Sequence, residues 1–147
     1  MKNRSVPAEI VLPHITYENL ARAIEWLSRS FGFVEHYRYG QPVSGAQMSL
    51  GRALIMVNAV QTGRGSPARA GMMTQSLTVF VEDVDVQFDR AKSAGCSIVE
   101  DLHETVYGER QYGVVDIEGH QWLFSQHVRD VDPREWGATI TTPYVTQ

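Results

Sequence analysis

The chain has 147 residues, about the length of one domain, with 43% hydrophobic and 20% charged residues. A chain of this size buries roughly two-thirds of its unfolded surface, so it needs neither a metal nor a disulfide to fold. The net charge of −4 argues against sequence-independent nucleic-acid binding, which requires a basic face, and the lone Cys96 excludes an internal disulfide and a cysteine-based zinc site.

Met1 to Pro7 contain no apolar run of the kind a signal peptide carries. No segment approaches the roughly 20 apolar residues of a membrane span. A soluble, cytoplasmic protein is expected, with no membrane partner. Asn3-Arg4-Ser5 fits a glycosylation sequon, which carries no meaning without secretion.

Read along the chain, the sequence is written twice. Val11-Leu-Pro-His-Ile-Thr-Tyr-Glu-Asn-Leu20 parallels Gln75-Ser-Leu-Thr-Val-Phe-Val-Glu-Asp-Val84. Each alternating stretch ends in a cap, Asn19 or Asp83, whose side chain can accept from the free amides of a first helical turn. The two caps lie 64 residues apart. Leu20, Ala23, Ile24, Leu27 and Phe31 then recur at helical spacing and stop at Gly32. Val84, Phe88, Ala91 and Ala94 do the same and stop at Gly95. Further on, Leu50-Gly-Arg-Ala-Leu-Ile-Met56 parallels Glu118-Gly-His-Gln-Trp-Leu-Phe124 at an offset of 68, each a glycine turn feeding an apolar strand. The larger offset points to a longer connection over Asp101 to Glu109.

Each half therefore reads strand, helix, then about three strands, an α+β chain of two tandem βαβββ modules. Strands are expected near 10–17, 33–39, 45–50 and 53–58, and again near 75–81, 97–100, 110–116 and 121–127. Module one spans 8–60, a Gly-, Arg- and Pro-rich joint 61–71, module two 72–128, and a tail 129–147. In the tail, Asp132 and Pro133 fit a helix N-cap and first turn. Trp136 is expected to pack on a sheet edge or a partner subunit, and the last residues to be disordered or to add to an edge.

Tyr107-Gly-Glu-Arg110, followed by Val115-Asp-Ile-Glu-Gly-His-Gln-Trp122, resembles the tyrosine–glycine–arginine loop and Asp-x-x-Gly-His-x-Trp hairpin of the vicinal oxygen chelate superfamily, the glyoxalase/bleomycin-resistance/extradiol dioxygenase family. Ala23-Ile-Glu-Trp26 with Phe31-Gly32 resembles that family's first helix and its stop, and Val81-Glu-Asp-Val-Asp85 the start of its second. The resemblance covers roughly residues 8 to 128 and departs at Ile117, where the family commonly has proline. It implies that the two modules curl their sheets into a curved, incomplete mixed β-barrel around a concave cleft. It also implies a homodimer, often with modules packed across the subunit boundary.

Strand parity divides the faces. Leu77, Val79 and Val81 form an apolar face matching Val11, Pro13, Ile15 and Tyr17. Ser76, Thr78 and Phe80 form a mixed face matching Leu12, His14 and Thr16, and this face is expected to look into the cleft. In the family's metal enzymes four ligands come from the strands before the helices and from the last strands. Carried over, those positions are Leu12, Ser76, Ile55 (Met56 after a one-residue slip) and Leu123. None is a His or a Glu, so no metal is expected at the usual site and no cofactor is assigned.

The candidate ligand-binding residues are His14, Gln47, Ser76, Thr78, Phe80, Tyr107, Arg110, Ser125 and His127. His14 and His127 share faces with Leu12 and Leu123, and each is either an acid, base or hydrogen-bond partner in the cleft or a solvent-facing imidazole. Arg110 is either a bidentate clamp for a carboxylate or phosphate or a salt-bridge partner of Glu109 or Asp116. The parity of Gln47 and Ser49 is open. His120 is read as structural in its turn, Trp122 and Phe124 as core, Cys96 as structural, and Arg22, Glu25 and Arg29 as a solvated face. His103-Glu104 lacks the second histidine of a zinc motif.

These observations lead to a metal-free protein that binds a small organic molecule in its cleft, for resistance or sequestration. The alternative is a lyase or isomerase using His14 as base, or a metal enzyme with displaced ligands. A third possibility is an interaction module whose cleft is filled by its own side chains.

Overall fold

Residues 3, 4 and 11–143 are described by the structure, a computed structural model. Module one consists of β1 (His14–Tyr17), α1 (Leu20–Phe31), β2 (Val34–Tyr39), β3 (Gly45–Leu50) and β4 (Ala53–Ala59). A short helix, α2 (Pro67–Ala70), follows in the joint. Module two consists of β5 (Ser76–Phe80), α3 (Val84–Ser93), β6 (Ser97–Glu104), β7 (Glu109–Val115) and β8 (Gln121–His127), and a 3-10 turn (Pro133–Trp136) follows. The sheets have the same order, β1-β4-β3-β2 and β5-β8-β7-β6, and among the described residues no strand pairing joins them. In each, the first strand runs parallel to the last and the other pairs are antiparallel. The two mixed sheets are present as expected, and among the described residues they form no closed barrel.

The caps act as the sequence requires. Asn19 accepts from the Arg22 amide at 3.2 Å and Asp83 from the Val86 amide at 3.1 Å. Gly32, at φ 88°, ends α1 in the left-handed conformation that an L side chain adopts only with strain. The apolar stripe of α1 is wholly buried. In α3 the stripe departs from expectation: Ala94 is exposed, while Gln87 is buried and donates through Nε2 to the Phe31 carbonyl at 3.0 Å. A polar residue on a helical stripe escapes an apolar count, yet a buried amide is stable once it satisfies a helix-end carbonyl.

The helix-side faces of both sheets meet in one core. Phe31 of α1 packs edge-on against Trp122 and Phe124 of β8, at centroid distances of 5.6 and 4.9 Å. Trp122, Phe124, Tyr112, Tyr17 and Phe31 have no exposed surface, and side chains of this size each contribute about 2–3 kcal/mol by burial. Because both sheets back onto the same core, their other faces turn outward.

Two boundaries differ from the sequence reading. The first strand begins at His14 rather than near 10, directly after Pro13 (residue 10 lies outside the described residues). The strand expected over 97–100 runs on to Glu104, so most of the supposed long connection is strand. Its charged residues, Glu100, Asp101, His103 and Glu104, lower strand propensity, but β6 is an edge strand with irregular register at which such residues are solvated. The joint is also ordered. Ser66 caps α2 by accepting from the Arg69 amide at 3.3 Å, and the Ala68 amide donates to the Glu118 carbonyl at 3.0 Å.

Candidate functional site

The register fixes which residues share the open faces. In the first sheet His14, Met56, Gln47 and Tyr37 lie in one cross-strand row. Gln47 is buried, and its Nε2 donates to the Tyr37 hydroxyl at 3.2 Å. The His14 Nδ1 lies 3.0 Å from Asn58 Oδ1, and His36 Nε2 lies 2.6 Å from Ser49 Oγ. The parity of Gln47 and Ser49 is thereby settled in favour of the open face.

The ligand position carried over to Ile55 is corrected by the same register. Ile55 belongs to the core cluster on the helix side, and Met56 takes the open face. His14 pairs with Met56, while Thr78, its repeat mate at offset 64, pairs with Leu123. Met56 is therefore the repeat counterpart of Leu123, and the slip arises because the glycine-turn alignment does not count the residues of each strand.

In the second sheet, Ser76, Thr78 and Phe80 project from β5 on the open face and pair with Gln121, Leu123 and Ser125. Phe80 is 62% exposed. Ser125 is buried and donates to Gln111 Oε1 at 3.1 Å, and the Tyr107 hydroxyl donates to the same oxygen at 3.3 Å. His127 Nδ1 lies 3.1 Å from Glu109 Oε1. Ser76, Thr78, Phe80, Tyr107, Ser125 and His127 thus gather on one surface, with His14 and Gln47 on the open face of the other sheet.

Arg110 does not join them. It alternates with the open-face residues Glu109 and Gln111, and its guanidinium holds Asp85 of α3 in a bidentate pair at 2.9 and 3.1 Å. That pairing holds the Asp85 carboxyl below its ordinary range and raises the Arg110 guanidinium. The expected clamp and the expected partners Glu109 and Asp116 both give way to Asp85, because the odd–even parity of β7 sends position 110 toward the helices.

A recess of about 480 Å³ opens beside the edge strand β1, walled by His14, Thr16, Arg64, Met72, Met73 and His120. His120 itself is structural: its Nε2 lies 2.7 Å from the Thr16 carbonyl, and its ring meets Tyr17 edge-on. Burial raises the Cys96 thiol, in keeping with a structural cysteine. Trp136 packs edge-on against Tyr107, at a centroid distance of 5.9 Å.

Several open-face residues escaped the sequence reading: His36, Tyr37, Asn58, Glu100, His103, Glu109 and Gln111. Asn58, a polar residue in the apolar run of β4, was a usable signal. His103 was hidden by the extension of β6, and Glu100, inside the expected strand, by the irregular register that sets it opposite Gly113.

The residues at the positions that the resemblance assigns to metal ligands do not fit a metal. Leu12, Met56 and Leu123 offer no oxygen or nitrogen donor, and a lone Ser76 hydroxyl is a poor ligand. Among the described residues no group of three or more His, Cys, Asp or Glu side chains could hold an ion.

Duplicated βαβββ modules, each with one face on a shared core and one face open, define a protein of the paired-module, cleft-forming class. The chain belongs to the Glyoxalase/Bleomycin resistance protein/Dioxygenase superfamily, whose sequence pattern matches residues 9–124. It is 31% identical over 139 residues to an uncharacterized protein of Mycobacterium bovis, covering 88% of this chain and 91% of that one. Among solved structures, TioX from Micromonospora sp. ML1 superposes with a TM-score of 0.69 at 31% identity, covering 82% of this chain and all (100%) of TioX. The fosfomycin resistance protein FosX from Listeria monocytogenes shares the fold, with a TM-score of 0.61 at 13% identity over 81% of this chain and 93% of FosX.

Proposed function

We propose that this chain binds a small organic molecule in a metal-free cleft, in a resistance or sequestration role, as a cytoplasmic homodimer. The observation that carries the reading is the set of side chains on the open faces. The positions from which the superfamily's metal enzymes draw ligands hold Leu12, Met56, Ser76 and Leu123, while aromatic and hydrogen-bonding groups surround them. Such a surface can bind by contact and hydrogen bonding, and its side chains at those positions are poor ligands for an ion that would polarise a substrate carbonyl. The dimer is supported by the outward turn of both faces and by the exposure of Phe80, Tyr39 and Tyr107 at 62%, 49% and 40%. A second copy that set its first sheet opposite this chain's second would cover them and close a cleft. No helix among the described residues is long and apolar enough to cross a membrane.

The test is native mass spectrometry of untagged protein prepared without added metal. A dimer that retains an organic mass and no ion supports the reading. One divalent ion per site overturns it.

One observation favours a second reading, a lyase or isomerase. Asn58 holds His14 through Nδ1, leaving Nε2 free as a proton acceptor, and Glu109 holds His127 in the same way. It requires turnover that His14→Ala or His127→Ala abolishes; full activity in both variants rules it out.

A further inference from the structure

β1 lies at the edge of its sheet, with β4 on one side and no described strand on the other. The Met56 amide donates to the Pro13 carbonyl at 2.9 Å, so Pro13, Ile15 and Tyr17 turn their main-chain groups toward β4 in the parallel ladder. His14 and Thr16 alternate with them and turn theirs outward. The Thr16 carbonyl bears this out, since it is His120 of module two that reaches it, at 2.7 Å. The His14 amide and carbonyl and the Thr16 amide therefore face away from the sheet. There the recess of about 480 Å³ opens, between this edge and the joint that carries α2.

The chain carries a net charge of −4, yet none of the described residues lining this recess is an Asp or Glu. Its fixed charge is the guanidinium of Arg64, which is exposed and makes no ion pair among the described residues. Glu18, which reaches the joint from the end of β1, is already engaged: one oxygen accepts from the Ser66 amide at 3.1 Å and the other pairs with Arg69 at 3.4 Å. Met72 and Met73, also in the lining, are 67% and 42% exposed. Adjacent thioether side chains of this kind are flexible and mould to an apolar group. The recess thus combines an unpaired cation, a strip of main-chain donors and an acceptor, and an adaptable apolar wall.

We infer that the recess is a second binding site, apart from the open faces, for an N-acyl amino acid with an apolar side chain. The ligand carboxylate meets Arg64. Its amide group runs along β1 as an added strand would, giving its N–H to the His14 carbonyl and taking an outward amide on its own carbonyl. The apolar side chain lies against Met72 and Met73. A protonated amine would meet Arg64 with no acid to offset it, and a hydrocarbon would leave the outward groups of His14 and Thr16 without partners. This site does not depend on the reading of the open faces, because the groups it uses are the main chain of β1 and the side chains of the joint.

The experiment titrates the purified full chain by calorimetry with three probes. N-acetyl-L-leucine carries all three features, N-acetyl-L-leucinamide lacks the charge, and N-acetylglycine lacks the apolar side chain. N-acetyl-L-leucine is expected to bind about fivefold tighter than its amide and about tenfold tighter than N-acetylglycine. Arg64→Gln should remove the preference over the amide. Met72→Ser with Met73→Ser should remove most of the preference over N-acetylglycine. All three substituted residues are exposed, so the variants should melt with the wild type. Between about 0.1 and about 1 M salt, screening shortens from about 10 to about 3 Å, so N-acetyl-L-leucine should weaken and its amide should not. If N-acetyl-L-leucine does not bind, or binds no tighter than its amide, the inference is overturned. If Phe80→Ala weakens it and Arg64→Gln does not, the probe lies on the open face, and the recess is not its site.

Discussion

The Tyr17 hydroxyl donates to Asp116 Oδ2 at 2.6 Å and so joins the first strand of module one to the β7–β8 turn of module two. The same carboxylate accepts from Trp122 Nε1 at 3.1 Å and from the amides of Glu118 and His120 at 2.9 and 3.0 Å. Glu118, in that turn, accepts in its own right from the amides of Glu18 and Asn19 at the start of α1. The turn therefore satisfies donors from both modules. It fixes how the two sheets sit on their shared core, and with that the direction in which each open face looks.

Tyr17→Phe keeps the ring and removes one of four donors to a buried carboxylate. A loss of about 1–3 kcal/mol is expected. Burial first, and then the neighbouring Asp116 charge, push the Tyr17 phenol well above its ordinary range. A folded-state pKa above the unfolded one gives stability that is complete below about pH 10. Above that the unfolded chain releases a proton that the folded chain keeps, and stability falls by about 1.4 kcal/mol per pH unit. Tyr112, also raised by burial, acts in the same direction. Denaturant titrations through the alkaline range should show the Phe variant with the shallower decline. Equal slopes would mean that Tyr17 is not held as a buried phenol.

Gly108 closes a clasp on the exit of the chain from β8. Its carbonyl accepts from the amides of Val128 and Arg129 at 2.9 and 3.1 Å, and its φ is +91°. An added Cβ would run into the Arg129 carbonyl. Gly108→Ala therefore combines backbone strain with a clash, and about 2 kcal/mol of destabilisation is expected. Because Tyr107 precedes this residue, its packing against Trp136 should loosen, and the tryptophan emission should shift to the red. An unchanged Tm and spectrum would show that the clasp does not anchor the tail.

The parts of the fold legible in the sequence are those written in short-range pattern. Asn19 and Asp83 announce their helices, Gly32 and Gly95 stop them, and alternation assigns Val79 and Tyr17 to the core and Phe80 to the open face. What stayed hidden depends on partners distant in sequence. Arg110 finds Asp85, 25 residues away, and Gln87 finds the Phe31 carbonyl, 56 residues away; neither choice is visible in its own neighbourhood. Ile55 and Met56 are both apolar, so only the strand register separates the core side chain from the cleft one. Asp101 and Glu104 of β6 read as loop because propensity cannot tell an edge strand from a connection.

The Arg110–Asp85 pair gives a direct check on the site's boundary. Arg110→Gln should leave cleft affinity unchanged, since the guanidinium lies on the helix side. Arg110 holds the folded-state Asp85 carboxyl below its unfolded value, so the pair's contribution is present above about pH 4 and fades as pH falls through the lower folded value. The stability difference between wild type and variant should therefore be small near neutrality and vanish in acid. A large loss of ligand affinity in Arg110→Gln would return the guanidinium to the cleft.

Phe80 separates binding from folding most cleanly. Its ring is 62% exposed and lies outside the core cluster, so Phe80→Ala should change stability by no more than about 0.5 kcal/mol. The same ring stands beside Ser125 and in the row of Gln111, over the surface assigned to ligand. Its removal should weaken ligand affinity about tenfold, the scale on which one aromatic ring contributes to a binding face. Ser76→Trp tests the other end of β5 by filling space rather than emptying it; Ser76 is exposed, so the indole can be accommodated without disturbing the core. Calorimetric titration paired with thermal denaturation reads both quantities on each variant. If both keep wild-type affinity while remaining folded, the ligand site does not lie on the open face of β5.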